Sequence, residues 1–406
     1  MNSSVSRKFQ SWRGTIREEL RALAASDLRR ELRTVSGAQG PVMRLEGRAL
    51  ISLSGNNYLG LADHPALAGA ATGAAEKWGS GAAASPLVAG HMEPHAAFEA
   101  GLAEFKNYEA AILFGSGYLA NLGLISSLVG REDAVFSDAL NHASIVDGCR
   151  LSHARLHVFP HNDIDALERG LRKEGGVRRK LIVVDGVFSM DGDFAPLKDL
   201  ADIAGRHGAI LLVDEAHATG VFGPGGRGAA AHFGVTDEVG VSMGTLGKGL
   251  GCYGAFACAD HDTIAYLVNR TRPFIYSTAL PPPTVAAAHA ALDLVRGEEG
   301  EKRRARLRTL CARFRKGLLR IGFGMPSGGG EGPIFPLIVG TAKDALALSG
   351  YMLDAGVMLA AIRPPTVPEG TSRLRASLMA THTEAHISYV LGALEEGVKK
   401  LGLHLR

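Results

Sequence analysis

The chain has 406 residues, of which 46% are apolar and 21% charged, a balance that fits two or three packed domains and excludes a disordered or fibrous protein. The formal net charge of +3 is too small to indicate a nucleic-acid partner, and no apolar run is long enough for a membrane span. The four cysteines follow neither a metal-binding nor a disulfide spacing. We therefore expect reduced cysteines, no metal site, and a cytoplasmic protein without nucleic-acid or membrane partners.

An apolar stripe predicts a helix near the N-terminus, within a segment that we assign to residues 1–50. Five apolar residues recur there at helical spacing, namely Phe9, Trp12, Ile16, Leu20 and Leu23. Glutamates in the same stretch argue against a transit peptide, because transit peptides avoid acidic residues. We expect this helix to pack on its own fold or on a second subunit.

Seven short apolar runs predict the strands of one large sheet, in a domain assigned to residues 51–295. They begin at positions 110, 133, 156, 180, 209, 240 and 254. Several are continuous instead of alternating, which is typical of strands buried on both faces. The segments between them have helical spacing. Strands and helices in alternation predict an α/β fold with a mostly parallel sheet.

A smaller α+β domain is predicted for residues 296–406. A strongly basic helix over 299–320 is followed by a strand, a helix, a second strand and a closing helix from about Glu384. The order differs from the regular alternation before it. We therefore expect a separate C-terminal unit.

The segment FGSGYLAN follows a strand and begins a helix. Its small residues fit the GxGxxA pattern of dinucleotide sites, with Asp133 or Asp138 near the expected distance downstream. Small residues let backbone N–H groups approach a phosphate at a helix N-terminus, whichever cofactor carries that phosphate. A phosphate site and a plain tight turn are both compatible with the pattern.

The segment LLVDEAH is similar to the magnesium-binding strand end of a DEAH-box helicase. That function also needs a GxxxxGK[ST] loop to hold the triphosphate, and the Gly-Lys pair of GTLGKGLG does not fit it, since Lys248 is followed by Gly249. The sequence therefore excludes the helicase.

The sequence suggests a site for pyridoxal phosphate (PLP), because it has an aspartate, a histidine three residues later and a lysine between two glycines. Lysine forms Schiff bases with the PLP aldehyde, and a carboxylate such as Asp214 keeps the pyridine nitrogen protonated. Asp214 ends a predicted parallel strand, the place where α/β sheets bind ligands. Lys248 alone could be an ordinary surface lysine, but Asp214, His217 and the phosphate segment together favour the cofactor.

Eight stretches resemble the α-oxoamine synthase family of fold-type I PLP enzymes. They are NNYLGL (56–61), LFGSGYLAN (113–121), NHASIVDG (141–148), DGVFSMDGD (185–193), LLVDEAHATGVFGPGGRG (211–228), GTLGKGLG (244–251), IYSTALPP (275–282) and IRPPTVPEGTSRLR (362–375). The combination of DEAHATG with a downstream GTLGKG is specific for the family. The resemblance implies an aspartate-aminotransferase-like fold, with a seven-stranded sheet domain and a smaller C-terminal domain. It also implies a homodimer with its active site at the subunit interface.

The last stretch is most similar to the branch of the family that joins L-alanine to a pimeloyl thioester in biotin biosynthesis. The acyl carrier would be coenzyme A or acyl carrier protein, and the sequence leaves this choice open. Pro86 and Ala89 stand where the family often has arginine and serine, in a loop near the substrate. The preference for amino acid and acyl chain is therefore less firmly predicted than the cofactor.

The resemblance implies three catalytic residues. Lys248 would attach PLP covalently and move the Cα proton of the substrate, and Asp214 would pair with the pyridine nitrogen. His142 would stack on the ring and help to position the thioester. The further cofactor contacts implied are Gly117, Tyr118, Ser189, His217, Thr245 and, toward the neighbouring subunit, Thr278.

The resemblance also implies the substrate contacts. Arg375 would clamp the carboxylate of the amino acid, because a guanidinium binds a carboxylate through two N–H groups, and Asn56 would assist. Arg30 would lie near the acyl substrate, although the adjacent Arg29 leaves this assignment open by one residue. Thr366 would line the acyl-donor side.

Three other functions are weighed against this one. A sister activity (serine palmitoyltransferase, glycine C-acetyltransferase or 5-aminolevulinate synthase) shares the cofactor residues and differs in its pockets. A nicotinamide dehydrogenase would use the phosphate segment but leaves Lys248, Asp214 and His217 without a role. A non-catalytic family member would be expected to lose Lys248, which this chain keeps.

Overall fold

The computed structural model describes residues 10–326 and 331–405. The strands, numbered in chain order, are β1 (Val35–Ser36), β2 (Val42–Leu45), β3 (Arg48–Ser52), β4 (Ala110–Phe114), β5 (Ala134–Asp138), β6 (Arg155–Phe159), β7 (Lys180–Asp185), β8 (Ile210–Asp214), β9 (Val241–Thr245), β10 (Ala255–Ala259), β11 (Ile334–Gly340), β12 (Val357–Met358), β13 (Ala360–Ile362) and β14 (Ser372–Ser377). The α-helices of the described residues are Gln10–Ala25, Pro65–Trp78, Glu93–Lys106, Gly117–Leu128, Ala143–Ser152, Ile164–Lys173, Leu197–His207, Ala229–Phe233, His261–Arg270, Arg272–Ile275, Pro282–Arg296, Glu298–Ile321, Ala342–Asp354 and Glu384–Leu401.

The seven predicted runs form one sheet in the order β4-β10-β9-β8-β7-β5-β6. Strand β10 is antiparallel to both of its neighbours, and the other neighbouring pairs are parallel. The mostly parallel α/β sheet is confirmed. Because parallel strands share a direction, the carboxyl ends of β5, β7, β8 and β9 meet at one edge of the sheet.

Both faces of this sheet are covered. Alternate residues of β7 enter two separate apolar clusters, with Ile182 and Val184 in one and Leu181 and Val183 in the other. All four are at most 1% exposed. Side chains alternate between the faces of a strand, so a strand buried on both faces needs an apolar residue at every position. This explains the continuous apolar run in the sequence.

Two smaller sheets complete the fold. Strands β11, β14 and β13 form an antiparallel sheet in the C-terminal part of the chain. Strand β12 pairs in parallel with β3, and so joins the C-terminal part to the hairpin of β2 and β3. The chain divisions near residues 50 and 295 stay predictions.

The described residues leave most of the apolar stripe of the N-terminal helix Gln10–Ala25 uncovered. Trp12 is 65% exposed, and Leu20 and Leu23 are each 42% exposed. Phe9 lies outside the described residues. The prediction that this helix packs on its own fold is therefore wrong for these side chains. Packing on a second subunit stays a prediction. In the described part of the chain, no helix has the length and apolarity required to cross a membrane.

A buried ion pair fixes the turn that follows β8. The Lys106 Nζ donates to Glu215 Oε2 over 2.9 Å, and both side chains are at most 2% exposed. Glu215 also accepts hydrogen bonds from the backbone N–H groups of Ala229 and Ala230. Gly228 has φ +116°, and a Cβ added there would lie 1.4 Å from Glu215 Oε2. A glycine is therefore required beside this carboxylate.

We expect Gly228→Ala to lower the free energy of unfolding by about 3 kcal/mol, because the new methyl group displaces a buried, paired carboxylate. Gly73→Ala is the matched control, since no described atom outside the adjacent backbone of its own helix, Pro65–Trp78, lies within 4 Å of the corresponding Cβ. It should change stability by no more than about 1 kcal/mol, in the stabilising direction. Urea denaturation measures both variants, and equal stabilities would contradict the steric requirement at Gly228.

Candidate active site

Two buried carboxyl groups lie side by side at the carboxyl edge of the sheet. Asp185 and Asp214 end β7 and β8 and are register partners. Asp214 accepts hydrogen bonds from Asn121 Nδ2 at 2.7 Å and from the Ala216 N–H at 2.8 Å. Burial and the neighbouring charge of Asp214 raise the pKa of Asp185 well above its ordinary value. The orientation of Asp214 is thus set by two donors, and Asp185 is a carboxyl group that takes up a proton readily.

Lys248 lies in the loop after β9 and contacts His217. Its Nζ is 2.9 Å from His217 Nε2, and the other ring nitrogen, Nδ1, is 2.6 Å from the Tyr58 hydroxyl. Burial lowers the pKa of Lys248 to about 8, although the carboxyl groups of Asp214 and Asp185 oppose the shift. Burial and the charge of Lys248 also lower the pKa of His217 well below its ordinary value. A neutral imidazole therefore faces a lysine that loses its proton easily, as both nucleophilic attack and proton transfer require.

Tyr58 is a site residue that the sequence analysis missed. It is fully buried, and its hydroxyl donates to Asn56 Oδ1 at 3.1 Å and accepts from Arg375 Nη2 at 3.3 Å. The same hydroxyl lies 2.6 Å from His217 Nδ1, so Tyr58 holds the imidazole ring whose Nε2 faces Lys248. The signal was present in NNYLGL, but a tyrosine in an apolar run is typical of a core residue.

Arg375 lies on β14 and is only 7% exposed. Its Nε donates to the Ser189 carbonyl oxygen at 2.6 Å, its Nη1 to Ser377 Oγ at 2.9 Å, and its Nη2 to Tyr58. A guanidinium has five N–H groups, so two are left to bind a ligand carboxylate. The arrangement fits the predicted clamp. Ser189 contacts Arg375 through its carbonyl group, which the sequence did not predict.

The phosphate segment forms the N-terminus of the helix Gly117–Leu128, with Ser116 as its N-cap. A Cβ added to Gly117 would lie 2.6 Å from Thr245 Cγ2, so the two residues are in close contact. The Thr245 hydroxyl is buried and has no hydrogen-bond partner among the described residues. An orphaned hydroxyl beside a helix N-terminus suits a phosphate group. Tyr118, the next residue, is 43% exposed. The residues present therefore fit PLP: Thr245 would hold its phosphate, Lys248 would bind its aldehyde and Asp214 would pair with its pyridine nitrogen.

His142 is held beside the two aspartates. It is the N-cap of the helix Ala143–Ser152, its N–H donates to Asp185 Oδ2 at 2.7 Å, and its Nδ1 lies 2.8 Å from Ser144 Oγ. The residue is exposed, so its ring is accessible from solvent. Stacking on a cofactor ring is compatible with this position and stays a prediction.

The predicted acyl-side arginine lies apart from the Lys248 cluster. Arg30 is exposed, and its charge acts on Arg363, whose pKa is lowered by burial and then by Arg30. Arg29 instead forms an ion pair with Glu31 at 3.2 Å. Arg30 is therefore the better candidate of the two, because it lies near the IRPPTVP segment.

Thr278 and Thr366 are both exposed, and neither side chain has a recorded hydrogen bond to the Lys248 cluster in the described part of the chain. Thr278 lines a small cavity with Pro86. Pro86 begins a short π-helical turn in which Leu87 and Val88 are 53% and 81% exposed. The position of Thr278 is compatible with its role toward the neighbouring subunit, which stays a prediction, as does the acyl-donor role of Thr366.

Comparison with known proteins identifies the family. The sequence profile of class I and II aminotransferases matches residues 48–394. The chain is 52% identical over 389 residues to the 8-amino-7-oxononanoate synthase of Geobacter sulfurreducens, which covers 96% of this chain and 99% of that protein. It is 54% identical over 376 residues to the enzyme of the same name from Anaeromyxobacter dehalogenans, covering 93% of each. The chain belongs to the class I and II aminotransferase family.

Solved structures of this family place the chain among the α-oxoamine synthases. Serine palmitoyltransferase from Sphingomonas wittichii matches with a TM-score of 0.90 and 34% identity, covering 97% of this chain and 98% of that one. A lysine-to-alanine variant of the enzyme from S. paucimobilis, solved with a bound PLP-myriocin aldimine, has the same TM-score at 33% identity, covering 99% and 100%. An 8-amino-7-oxononanoate synthase from Francisella tularensis matches with a TM-score of 0.76 and 30% identity, covering 87% and 99%. The predicted fold-type I architecture, the enzyme class and the PLP cofactor are confirmed.

We expect Asp214→Asn to lower turnover at least a hundredfold, because the amide lacks the negative charge that keeps the pyridine nitrogen protonated. A well-placed electrostatic group of this kind contributes about 3 kcal/mol to catalysis. Steady-state kinetics of the PLP-loaded variant measures the loss.

Asp133→Asn is the matched control. Asp133 is also fully buried and is paired with Arg178, but it lies before β5, at the opposite edge of the sheet. The control should lose stability and keep its turnover per folded molecule. Near-normal turnover in Asp214→Asn would show that the electron-sink role assigned to Asp214 is wrong.

Proposed function

We propose that the enzyme condenses L-alanine with a pimeloyl thioester, releasing 8-amino-7-oxononanoate, CO₂ and the free thiol carrier, in biotin biosynthesis. The observation that carries the proposal is an identity of 50–54% with several 8-amino-7-oxononanoate synthases over almost the whole chain. The assembled set of Lys248, His217 and Asp214 supports it.

The bonds changed in this reaction account for the residues proposed. Alanine loses its Cα proton, the Cα attacks the thioester carbonyl carbon, and the thiolate leaves. The bond to the carboxylate then breaks and releases CO₂, and a proton returns to Cα. PLP supplies an electron sink for the pair left on Cα in both steps. The protein must therefore hold a carboxylate, move one proton in each direction and admit an acyl thioester.

The proton carrier is Lys248. A base that removes and later returns a proton works best when its pKa is near the operating pH, and burial lowers the pKa of Lys248 to about 8. His217, kept neutral by burial and held by Tyr58, is proposed to hydrogen-bond the phenolic oxygen of the cofactor, with Ser189 assisting. Asp214 is proposed to hold the proton on the pyridine nitrogen.

The substrate contacts divide between two sides of the site. Arg375 is proposed to bind the alanine carboxylate with its two remaining N–H groups. Asn56 is proposed to assist, since the Tyr58 hydroxyl contacts both Asn56 and Arg375. His142, exposed above the aspartates, is proposed to stack on the ring and to position the thioester. Arg30 and Thr366 are proposed to contact the acyl donor.

We propose that the enzyme is a cytoplasmic homodimer whose active site lies at the interface. Most of the apolar stripe of the helix Gln10–Ala25 is uncovered by the residues that the structure describes, and so are Leu87 and Val88. Apolar side chains exposed together indicate a surface for another protein. Thr278, exposed beside Pro86, is proposed to reach the phosphate bound by the neighbouring subunit.

A sister α-oxoamine synthase activity is the second candidate. The observation that favours it is the higher TM-score of serine palmitoyltransferases, 0.90 against 0.76 for the solved 8-amino-7-oxononanoate synthase. The replacement of the usual arginine by Pro86 near the substrate also fits a changed pocket. Sequence identity favours the first proposal, since it is 52% to the Geobacter enzyme and 34% to the Sphingomonas wittichii transferase.

A panel of amino acids and thioesters separates the two candidates. Alanine with pimeloyl-CoA or pimeloyl-carrier protein should give the highest kcat/KM. Glycine should react tens of times more slowly, because a pocket for one methyl group discriminates by only about 1–3 kcal/mol. Serine should do no better than glycine, since its hydroxyl has no dedicated partner.

Palmitoyl-, acetyl- and succinyl-CoA are the matched donors for the sister activities. If glycine or serine outpaces alanine in kcat/KM with every donor, the biotin-pathway function is wrong and the family assignment alone remains.

A further inference from the structure

His161 bridges two buried aspartates outside the Lys248 cluster. Its Nδ1 lies 3.0 Å from Asp138 Oδ1, and its Nε2 lies 2.8 Å from Asp193 Oδ2. Asp138 and Asp193 are 2% and 3% exposed. The His161 ring also packs edge-on against Phe188, with 4.4 Å between ring centroids.

The bridge requires a charged histidine. A neutral imidazole has one N–H and can donate to one carboxylate, whereas the imidazolium donates to both. Although burial opposes it, hydrogen bonding to Asp138 and Asp193 raises the pKa of His161 to about 10. His161 is therefore a fixed cation at neutral pH, between the end of β5 and the segment that follows β7.

Asp193 depends on this cation. Within residues 10–326 and 331–405, its buried Oδ1 has no hydrogen-bond partner, and its Oδ2 has one further side-chain donor, Asn162 Nδ2, at the longer distance of 3.3 Å. An unpaired buried carboxylate is strongly destabilising. If His161 lost its charge, Asp193 would have to move or take up a proton.

Asp193 closes a short hairpin that reaches the carboxylate clamp. Val187 and Phe194 form an antiparallel bridge, and the Phe188 N–H donates to the Asp193 carbonyl oxygen at 2.9 Å. At the tip of the hairpin, the Ser189 carbonyl accepts the Nε–H of Arg375 at 2.6 Å. The hairpin is thus fixed by His161 on one side and bound to Arg375 on the other.

A second contact strengthens the coupling. Asp191, two residues beyond Ser189, forms an ion pair with Arg373 of β14, and that arginine is two positions before Arg375. Gly192 closes the tip against β11, because a Cβ there would lie 2.6 Å from the Ile334 carbonyl oxygen. The hairpin therefore has little freedom to move without shifting the guanidinium that it contacts.

We propose that His161 is a positioning residue for the substrate carboxylate clamp, and that it acts on Arg375 through Asp193 and the hairpin 187–194. The proposal rests on the proposed role of Arg375 in binding the amino acid. Its consequence is specific, because the loss of His161 should weaken amino-acid binding and leave thioester binding unchanged.

The test compares His161→Gln with His157→Gln in the PLP-loaded enzyme. His157 also pairs with a carboxylate, that of Glu174 at 2.8 Å, and stacks on Phe136, but it has no contact with the hairpin among the described residues. The dissociation constant of L-alanine is measured from the spectral change of the cofactor, together with KM for the thioester and the thermal midpoint. We expect His161→Gln to raise the alanine constant about tenfold, and His157→Gln less than twofold.

A merely structural role would lower the thermal midpoint of His161→Gln and leave its alanine constant unchanged, and that result overturns the proposal. If His161→Gln does not fold or does not bind PLP, the same measurements are made on Asp193→Asn. This variant keeps an acceptor oxygen but removes the negative charge. An unchanged alanine constant in that variant also overturns the proposal.

Wild-type enzyme is titrated first with alanine, glycine and serine, and the variants are compared with the amino acid that it binds most tightly. A wrong substrate assignment then shows in the wild-type series. A wrong role for His161 shows only in the ratio of variant to wild type.

Discussion

The structure depends on one geometric constraint, that parallel strands end at a common edge. Because β7 and β8 are in register, Asp185 and Asp214 lie next to each other, and the chain after each strand must turn at the same edge. Residues distant in the sequence therefore meet there. Lys248 contacts His217 from the neighbouring loop, and Arg375 is brought in by the small C-terminal sheet through Ser189 and Tyr58.

Burial at this edge gives ordinary side chains unusual protonation behaviour. Removing a charge from water disfavours the charged form, so the pKa of Lys248 and of His217 is lowered and that of Asp185 is raised. His161 is the opposite case, since two carboxylates overcome its burial and keep it charged. Lys248 therefore loses its proton easily, whereas His161 keeps its proton and pairs with two carboxylates.

Much of this arrangement could be predicted from the sequence, because its causes are local. Strands buried on both faces leave continuous apolar runs, as in β7, and the large sheet was predicted from them. Asp214 and Lys248 could be predicted because one aspartate at a strand end and one lysine between glycines suit one cofactor chemistry. The N-terminal stripe predicted a helix correctly, but periodicity does not say which surface a stripe faces, and the described part of the chain leaves Trp12, Leu20 and Leu23 of this stripe exposed.

What the sequence did not predict are the pairings over long distances in the chain. Lys106 and Glu215 are 109 residues apart, and nothing near either residue signals the other. Tyr58 has the pattern of a core residue, and its role depends on His217 and Arg375, which only the fold brings close. The same holds for His161, whose two partners lie at the end of β5 and in the segment after β7. The local sequence pattern predicts helices and strands, but the contacts between them follow only from the topology of the fold.

The most direct test of the account follows the attachment of PLP to Lys248. Cofactor-free protein is mixed with PLP at a series of pH values between about 6 and 11, reduced with borohydride, and digested for peptide mass spectrometry. The account predicts that the modification lies on the peptide containing Lys248, and that its rate rises with pH and levels off near pH 8, since burial lowers the pKa of Lys248 to about 8. A modification on other lysines, or a rate that keeps rising toward the ordinary lysine pKa of about 10.4, would contradict it.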